Sequence, residues 1–146
     1  MARTAVLGAG AMGTACAWLA AQRHGAGVSL WARNADYATA IAQTRCNQRL
    51  LPQVRLPDDV LVTSDAAVAL ASAEEVLVCV PMRGLRQACQ QLQPLIPSTA
   101  VLVSTIKGIE NSTTIVAAAE DQSAAERIQQ RLATEFRRVY ANSDVL

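Results

Sequence analysis

The stretch Thr4-Ala5-Val6-Leu7-Gly8-Ala9-Gly10-Ala11-Met12-Gly13 decides the fold. Its first four residues read as a short buried strand, and the alanine-rich residues 12–23 that follow the glycines read as a helix. Between them lies a G-x-G-x-x-G spacing, and in a strand-turn-helix setting each glycine has its own task. The first permits the tight turn, the second lets the backbone approach a pyrophosphate, and the third lets the helix pack closely on the strand. The helix start then presents unpaired N–H groups and a positive dipole end to phosphate. The stretch therefore points to a dinucleotide-binding loop.

Outward from this loop the alternation repeats. Residues 28–31 read as a strand, 34–44 as a helix, and 47–59, broken by Pro52 and Pro57, as irregular loop. Residues 60–62 read as a strand, 66–71 as a helix capped by Ser64 or Asp65, and 76–80 as an apolar strand ending at Pro81. A helix over 83–92, stopped by Pro94 and Pro97, precedes a strand over 100–106. Strands apolar on both faces and separated by helices imply a Rossmann-like, doubly wound α/β fold: a mainly parallel sheet with helices on both faces. Lys107-Gly108-Ile109-Glu110-Asn111-Ser112 then leads at once into a strand-like run, 113–118. A parallel crossover needs a dozen or more residues, so this connection makes an antiparallel neighbour or marks missing chain. A helix over 123–134 and the segment 136–140 follow.

A chain of 146 residues suits one domain over 1–146, because folds of this size bury roughly 70% of the surface their unfolded chains expose. Hydrophobic residues make up 51% and charged residues 17%, a balance that argues against extended disorder. Thirteen basic and twelve acidic side chains leave a net charge of +1, too little for a nucleic-acid or anionic-membrane footprint, so a small molecule is the expected partner. Cys16, Cys46, Cys79 and Cys89 form no C-x-x-C pair, and His24 is the only histidine. No metal spacing is present, and the cysteines are expected to be reduced thiols. With neither a signal-peptide pattern nor a membrane-length apolar run, the expected location is the cytoplasm.

Two charged residues stand out. Arg33 follows the second strand, twenty positions after Gly13, where an NAD-selective site often carries an acid for the ribose hydroxyls. Arginine there suits the additional phosphate of NADP through charge-assisted hydrogen bonds; NADP(H) is favoured, with NAD(H) as the alternative. Lys107 lies just past the strand over 100–106, on the edge where doubly wound sheets bind ligands, and its ammonium suits a phosphate. Asp58-Asp59 and Glu74-Glu75 read as solvated turns, and Trp18 and Trp31 as packing residues.

These residues together resemble bacterial NAD(P)-dependent glycerol-3-phosphate dehydrogenase, the family that makes sn-glycerol 3-phosphate for phospholipids. The resemblance is carried by Val6 to Ala15, Val28 to Arg33, Asn47-Gln48-Arg49-Leu50-Leu51-Pro52, Val78-Cys79-Val80-Pro81, Lys107-Gly108-Ile109-Glu110 and Phe136-Arg137-Arg138-Val139-Tyr140. It implies cofactor binding by Gly8, Gly10, Ala11, Met12, Gly13 and Arg33, with Lys107 reaching both cofactor and substrate phosphate. The family often has a hydroxyl residue where Ala11 stands and an aromatic where Leu50 stands. It also has a long segment, with a serine-glycine-proline motif, between Glu110 and Thr113, and a helical second domain after Leu146 that carries a proton-donating lysine. Both are absent here, so the resemblance implies the cofactor-binding part of an enzyme that reduces dihydroxyacetone phosphate, with no catalytic residue in this chain. It leaves room for a homodimer of the full-length protein. Competing readings are another reductase of this fold, such as a ketopantoate or 3-hydroxyacid dehydrogenase, and a non-catalytic dinucleotide-binding module.

Overall fold

A computed structural model describes residues 3–24 and 27–106 of the chain. Its centre is a five-stranded sheet of β1 (Thr4–Leu7), β2 (Val28–Trp31), β5 (Leu61–Thr63), β6 (Glu75–Val78) and β7 (Val101–Ser104), in the order β5-β2-β1-β6-β7. Every pairing is parallel. Each connection between successive strands therefore crosses over, and the crossovers carry α1 (Ala11–His24), α2 (Ala35–Thr44), α3 (Ala66–Leu70) and α4 (Leu85–Leu92).

The strands sort their side chains by alternation into two cores. Val6, Val28 and Leu30 face Ala17, Ala21, Ala38 and Ile41 of α1 and α2. Ala5, Leu7, Trp31 and Val76 face Ala69, Leu70 and Leu92 on the other side. A sheet buried on both faces needs apolar residues at successive positions, which is why β1 is buried throughout. The strand order reverses direction at β1: the chain steps outward through β2 to β5, then returns to β6 on the other side of β1. The crevice at the carboxyl ends of β1 and β6 is thus the topological switch point, where open α/β sheets hold ligands.

Helix α1 lies close to the sheet because its inward residues are small: Gly13, Thr14, Ala17 and Ala21 are buried. The approach is tightest at Gly13, where an added Cβ would sit 1.7 Å from the Gly8 carbonyl oxygen. Gly8 itself has a φ of 110°, a conformation L residues rarely adopt, and an added Cβ there would meet the Cys79 carbonyl oxygen at 2.8 Å.

Residues 47–59, expected to be irregular, contain a correction. Cys46–Asn47 (β3) and Leu51–Arg55 (β4) form a separate antiparallel pair with a register shift between Cys46 and Asn47. Pro52 is tolerated because a two-stranded ribbon leaves one side of each strand without ladder bonds. Arg45 closes α2 with a φ of 56°, and its guanidinium donates to the Pro57 and Val60 carbonyls, fastening the passage to the helix end. Glu75 is a second correction: it opens β6 and accepts a hydrogen bond from the Thr4 hydroxyl at 3.2 Å. Trp31 is buried, as expected, and donates to the Ser64 carbonyl at 3.0 Å, whereas Trp18 is 36% exposed. The runs expected over 113–118, 123–134 and 136–140 lie outside the described residues.

The two inner glycines separate stability from access. Gly13→Ala is expected to destabilise the chain by about 3 kcal/mol or more, because neither backbone can yield without losing helix-strand packing. Gly10→Ala, where an added Cβ meets nothing within 4 Å, is expected to stay within about 1 kcal/mol of the parent. Thermal melts followed by circular dichroism test both; equal melting temperatures for the two variants would contradict the packing argument.

Candidate functional site

Of the residues expected to hold a cofactor, Gly8, Gly10, Ala11, Met12 and Gly13 lie at the switch point. Gly8 continues β1, and its N–H donates to the Trp31 carbonyl at 3.0 Å while the Leu7 carbonyl accepts from the Cys79 N–H at 2.8 Å. The loop is thereby registered between the ends of β2 and β6. Gly10 precedes the helix, and the first i to i−4 bond of α1 runs from the Thr14 N–H to the Gly10 carbonyl at 2.9 Å. The N–H groups of Gly10, Ala11, Met12 and Gly13 have no acceptor among the described residues, the usual state of a helix start. Ala11 and Met12 are exposed, and no acidic residue stands in the first turn.

This arrangement fits a pyrophosphate. The helix dipole and free donors favour negative charge, and the open space at Gly10 leaves the backbone accessible to a bulky anion. A side chain at Gly10 would occupy that space. The loop offers neutral backbone donors and no buried cation among the described residues.

Arg33 lies two residues past the end of β2, exposed, and makes no hydrogen bond or ion pair among the described residues. Asn34 beside it caps α2, accepting from the Tyr37 N–H at 2.8 Å, so the backbone that presents the arginine is held by a helix cap. Lys107 lies outside the described residues. The strand that leads to it, β7, is parallel to β1, so the chain at Thr105 and Ile106 emerges on the same edge of the sheet as the glycine loop.

One participant escaped the sequence reading. Asn47 is 0% exposed, and its side-chain amide donates to the Ala9 carbonyl at 3.1 Å and to the Thr14 hydroxyl at 2.8 Å. Its oxygen accepts from the Tyr37 hydroxyl at 2.5 Å and from the Leu50 N–H at 3.1 Å. The Thr14 hydroxyl passes its proton bond on to the Gly10 carbonyl at 2.8 Å. An asparagine in a passage read as loop carries no sequence signal of such a role; only its pairing in β3 places it under the glycines.

Cys79 borders the loop without supplying a nucleophile. Burial pushes its thiol above the ordinary value, the neighbouring Cys16 adds to the rise, and the Thr105 hydroxyl at 3.2 Å offsets part of it. It is a neutral packing group at physiological pH. A depression of about 340 Å³ between α2 and β5, lined by Ala38, Ala42, Gln43 and Val62 among others, carries no charged residue. It lies at the outer strand, with β2 between it and β1. No group of three or more potential metal ligands occurs among the described residues. No helix among them is long and apolar enough to cross a membrane.

Comparison with known proteins agrees with this fold. The model of the family described as NAD-dependent glycerol-3-phosphate dehydrogenase N-terminus matches residues 3–134. A Bradyrhizobium diazoefficiens protein named glycerol-3-phosphate dehydrogenase (NAD(P)+) is 50% identical over 109 residues, covering 75% of this chain and 32% of its own length. A Moorella thermoacetica protein of the same name is 34% identical over 176 positions, covering 97% of this chain and 52% of its own length. The crystal structure of glycerol-3-phosphate dehydrogenase from Coxiella burnetii superposes with a TM-score of 0.70 at 26% identity, covering 75% of this chain and 34% of that one. The chain thus spans about a third to a half of the relatives it matches. With a glycine loop at the switch point of a five-stranded parallel sheet and a family match over most of its length, the chain belongs to the N-terminal domain family of NAD-dependent glycerol-3-phosphate dehydrogenases.

Proposed function

We propose that this chain is the cofactor-binding part of an NAD(P)H-dependent reductase that converts dihydroxyacetone phosphate to sn-glycerol 3-phosphate for glycerophospholipid synthesis in the cytoplasm. The observation that carries the reading is the glycine loop: the N–H groups of Gly10, Ala11, Met12 and Gly13 have no acceptor among the described residues, and the space beside Gly10 at the switch point is open. Gly8 and Gly13 shape the turn, and the donors beyond it hold the cofactor diphosphate. The cofactor, when bound, supplies the hydride that reduces the C2 carbonyl of the substrate.

Arg33 selects the adenosine end in this reading. Its guanidinium is exposed and makes no hydrogen bond or ion pair among the described residues, one residue before the N-cap of α2, and a bidentate contact to a 2′-phosphate favours NADP(H) over NAD(H). Lys107 is assigned to the cofactor and the substrate phosphate; the described chain before it, at Thr105 and Ile106, leaves β7 on the edge of the glycine loop. The proton for the developing alkoxide comes from a lysine outside these residues.

For the organisation of the chain we propose one dinucleotide-binding unit over 1–146 that lacks a segment near residues 110–113, with the substrate domain lying beyond Leu146. Support comes from the Moorella alignment, whose 176 positions exceed the 146 residues of the chain.

Tryptophan fluorescence titration of the chain is expected to show saturable binding of NADPH; absence of saturation would refute the reading. Gly10→Ala should fold yet weaken NADPH by at least about tenfold, as its side chain enters the space of the diphosphate. Arg33→Asp should weaken NADPH by about tenfold or more while leaving NADH within about threefold; equal losses for both would remove Arg33 as the selector. Dihydroxyacetone phosphate-dependent oxidation of NADPH is expected of the full-length protein and not of the 146 residues alone, and turnover by the chain by itself would place the catalytic groups within it.

A further inference from the structure

We infer that Asn47 is a positioning residue for the phosphate donors of the glycine loop, acting through the carbonyls on the reverse side of the same peptide units. This rests on the cofactor-binding reading above. A peptide bond is planar, none is cis among the described residues, and in a trans unit the C=O and the following N–H point in opposite directions. Whatever holds the carbonyl of Ala9 inward therefore aims the N–H of Gly10 outward. Asn47 Nδ2 holds that carbonyl at 3.1 Å.

The next unit is held in the same way. The Gly10 carbonyl accepts from both the N–H and the hydroxyl of Thr14, at 2.9 and 2.8 Å, which turns the Ala11 N–H away from the helix body. Asn47 Nδ2 also donates to the Thr14 hydroxyl at 2.8 Å, so that hydroxyl has its own proton committed to Gly10. The amide orientation follows from its neighbours: the Leu50 N–H only donates and the Ala9 carbonyl only accepts, so oxygen and nitrogen of Asn47 cannot exchange places. All four hydrogen-bonding positions of the amide are filled, and the residue is fully buried. Without this brace the carbonyls of Ala9 and Gly10 could rotate toward the anion, replacing attraction with repulsion. The β3–β4 hairpin exists, in functional terms, to bring this amide under the loop.

The test compares variants that differ in which side of the amide they disturb. Asn47→Asp keeps the shape and the acceptor but removes both donors. Tyr37→Phe removes one bond to Oδ1, leaves Leu50 as its donor, and does not touch the loop side. Dissociation constants are measured for NADPH, for ADP-ribose, which carries the diphosphate, and for adenosine 2′-phosphate, which does not, with melting temperatures recorded alongside. Asn47→Asp should weaken NADPH and ADP-ribose by at least about tenfold and adenosine 2′-phosphate by less than about twofold, whereas Tyr37→Phe should leave all three within about twofold. Uniform loss across the three ligands, or unchanged NADPH binding, would overturn the inference. Should Asp at this position unfold the chain, Thr14→Val against Thr14→Ser gives the same reading: tenfold loss in the first and recovery in the second supports it, and equal affinities overturn it. Failure of the parent chain to bind NADPH at all overturns the cofactor reading itself, whereas parent binding with an unaffected Asn47→Asp variant overturns the positioning role alone.

Discussion

The structure depends on one close approach, that of Gly13 in the first helix to the Gly8 carbonyl at the end of the first strand. Only hydrogen fits between them. Because the helix can settle this low, its small residues Ala17 and Ala21 meet the sheet directly, and the chain can turn from strand to helix within three residues. The carboxyl end of β6 runs behind the turn, so the same contact also places Cys79 and Val80 against Gly8. The shape of the loop is thus a consequence of packing.

Packing of this kind leaves the loop with a specific electrostatic character. The donors at the helix start are neutral, fixed and directed outward, and the dipole adds a positive potential that falls off within a turn. No acidic side chain occupies the first turn to compensate it. A mobile lysine in the same place would bind phosphate as a point charge and lose entropy on doing so. Here the donors are already ordered by folding, and Arg33 stands exposed two residues past the carboxyl end of β2.

The parts of the fold legible in sequence were those whose signals are local. Thr4–Leu7, the glycine spacing and Val28–Trp31 coincide with observed elements because burial on both faces forces continuous apolar runs. The edge strand was displaced by one residue, with Val60 buried just ahead of it and Leu61 exposed within it, since an edge strand does not need an unbroken apolar run. The hairpin was invisible for a stronger reason: β3 has two residues, β4 contains Pro52, and their pairing includes a register shift. Pro52 and Pro57 are honest signs of irregular chain, and only contacts distant in sequence override them. The role of Asn47 could not be read for the same reason, as its partners Ala9 and Thr14 lie more than thirty positions away. Of the charged candidates, Arg33 stands where strand spacing puts it, and Lys107 falls outside the described residues.

The saturation of the Asn47 amide also bears on how such a loop can change or be moved. Its four partners come from three separate segments: the glycine turn with the first helix, the second helix, and the hairpin itself. Ala9 and Leu50 take part through backbone groups that any residue supplies, and Tyr37 shares the amide oxygen with Leu50, whereas Thr14 takes part through its side chain, so Asn47 and Thr14 form a linked pair in which a tolerated change at one requires a matching change at the other. A glycine turn braced in this way is consequently not a portable cassette. Grafted onto another strand and helix by its glycines alone, it would carry the right bend but no support beneath its carbonyls; the graft must bring a distant asparagine with it.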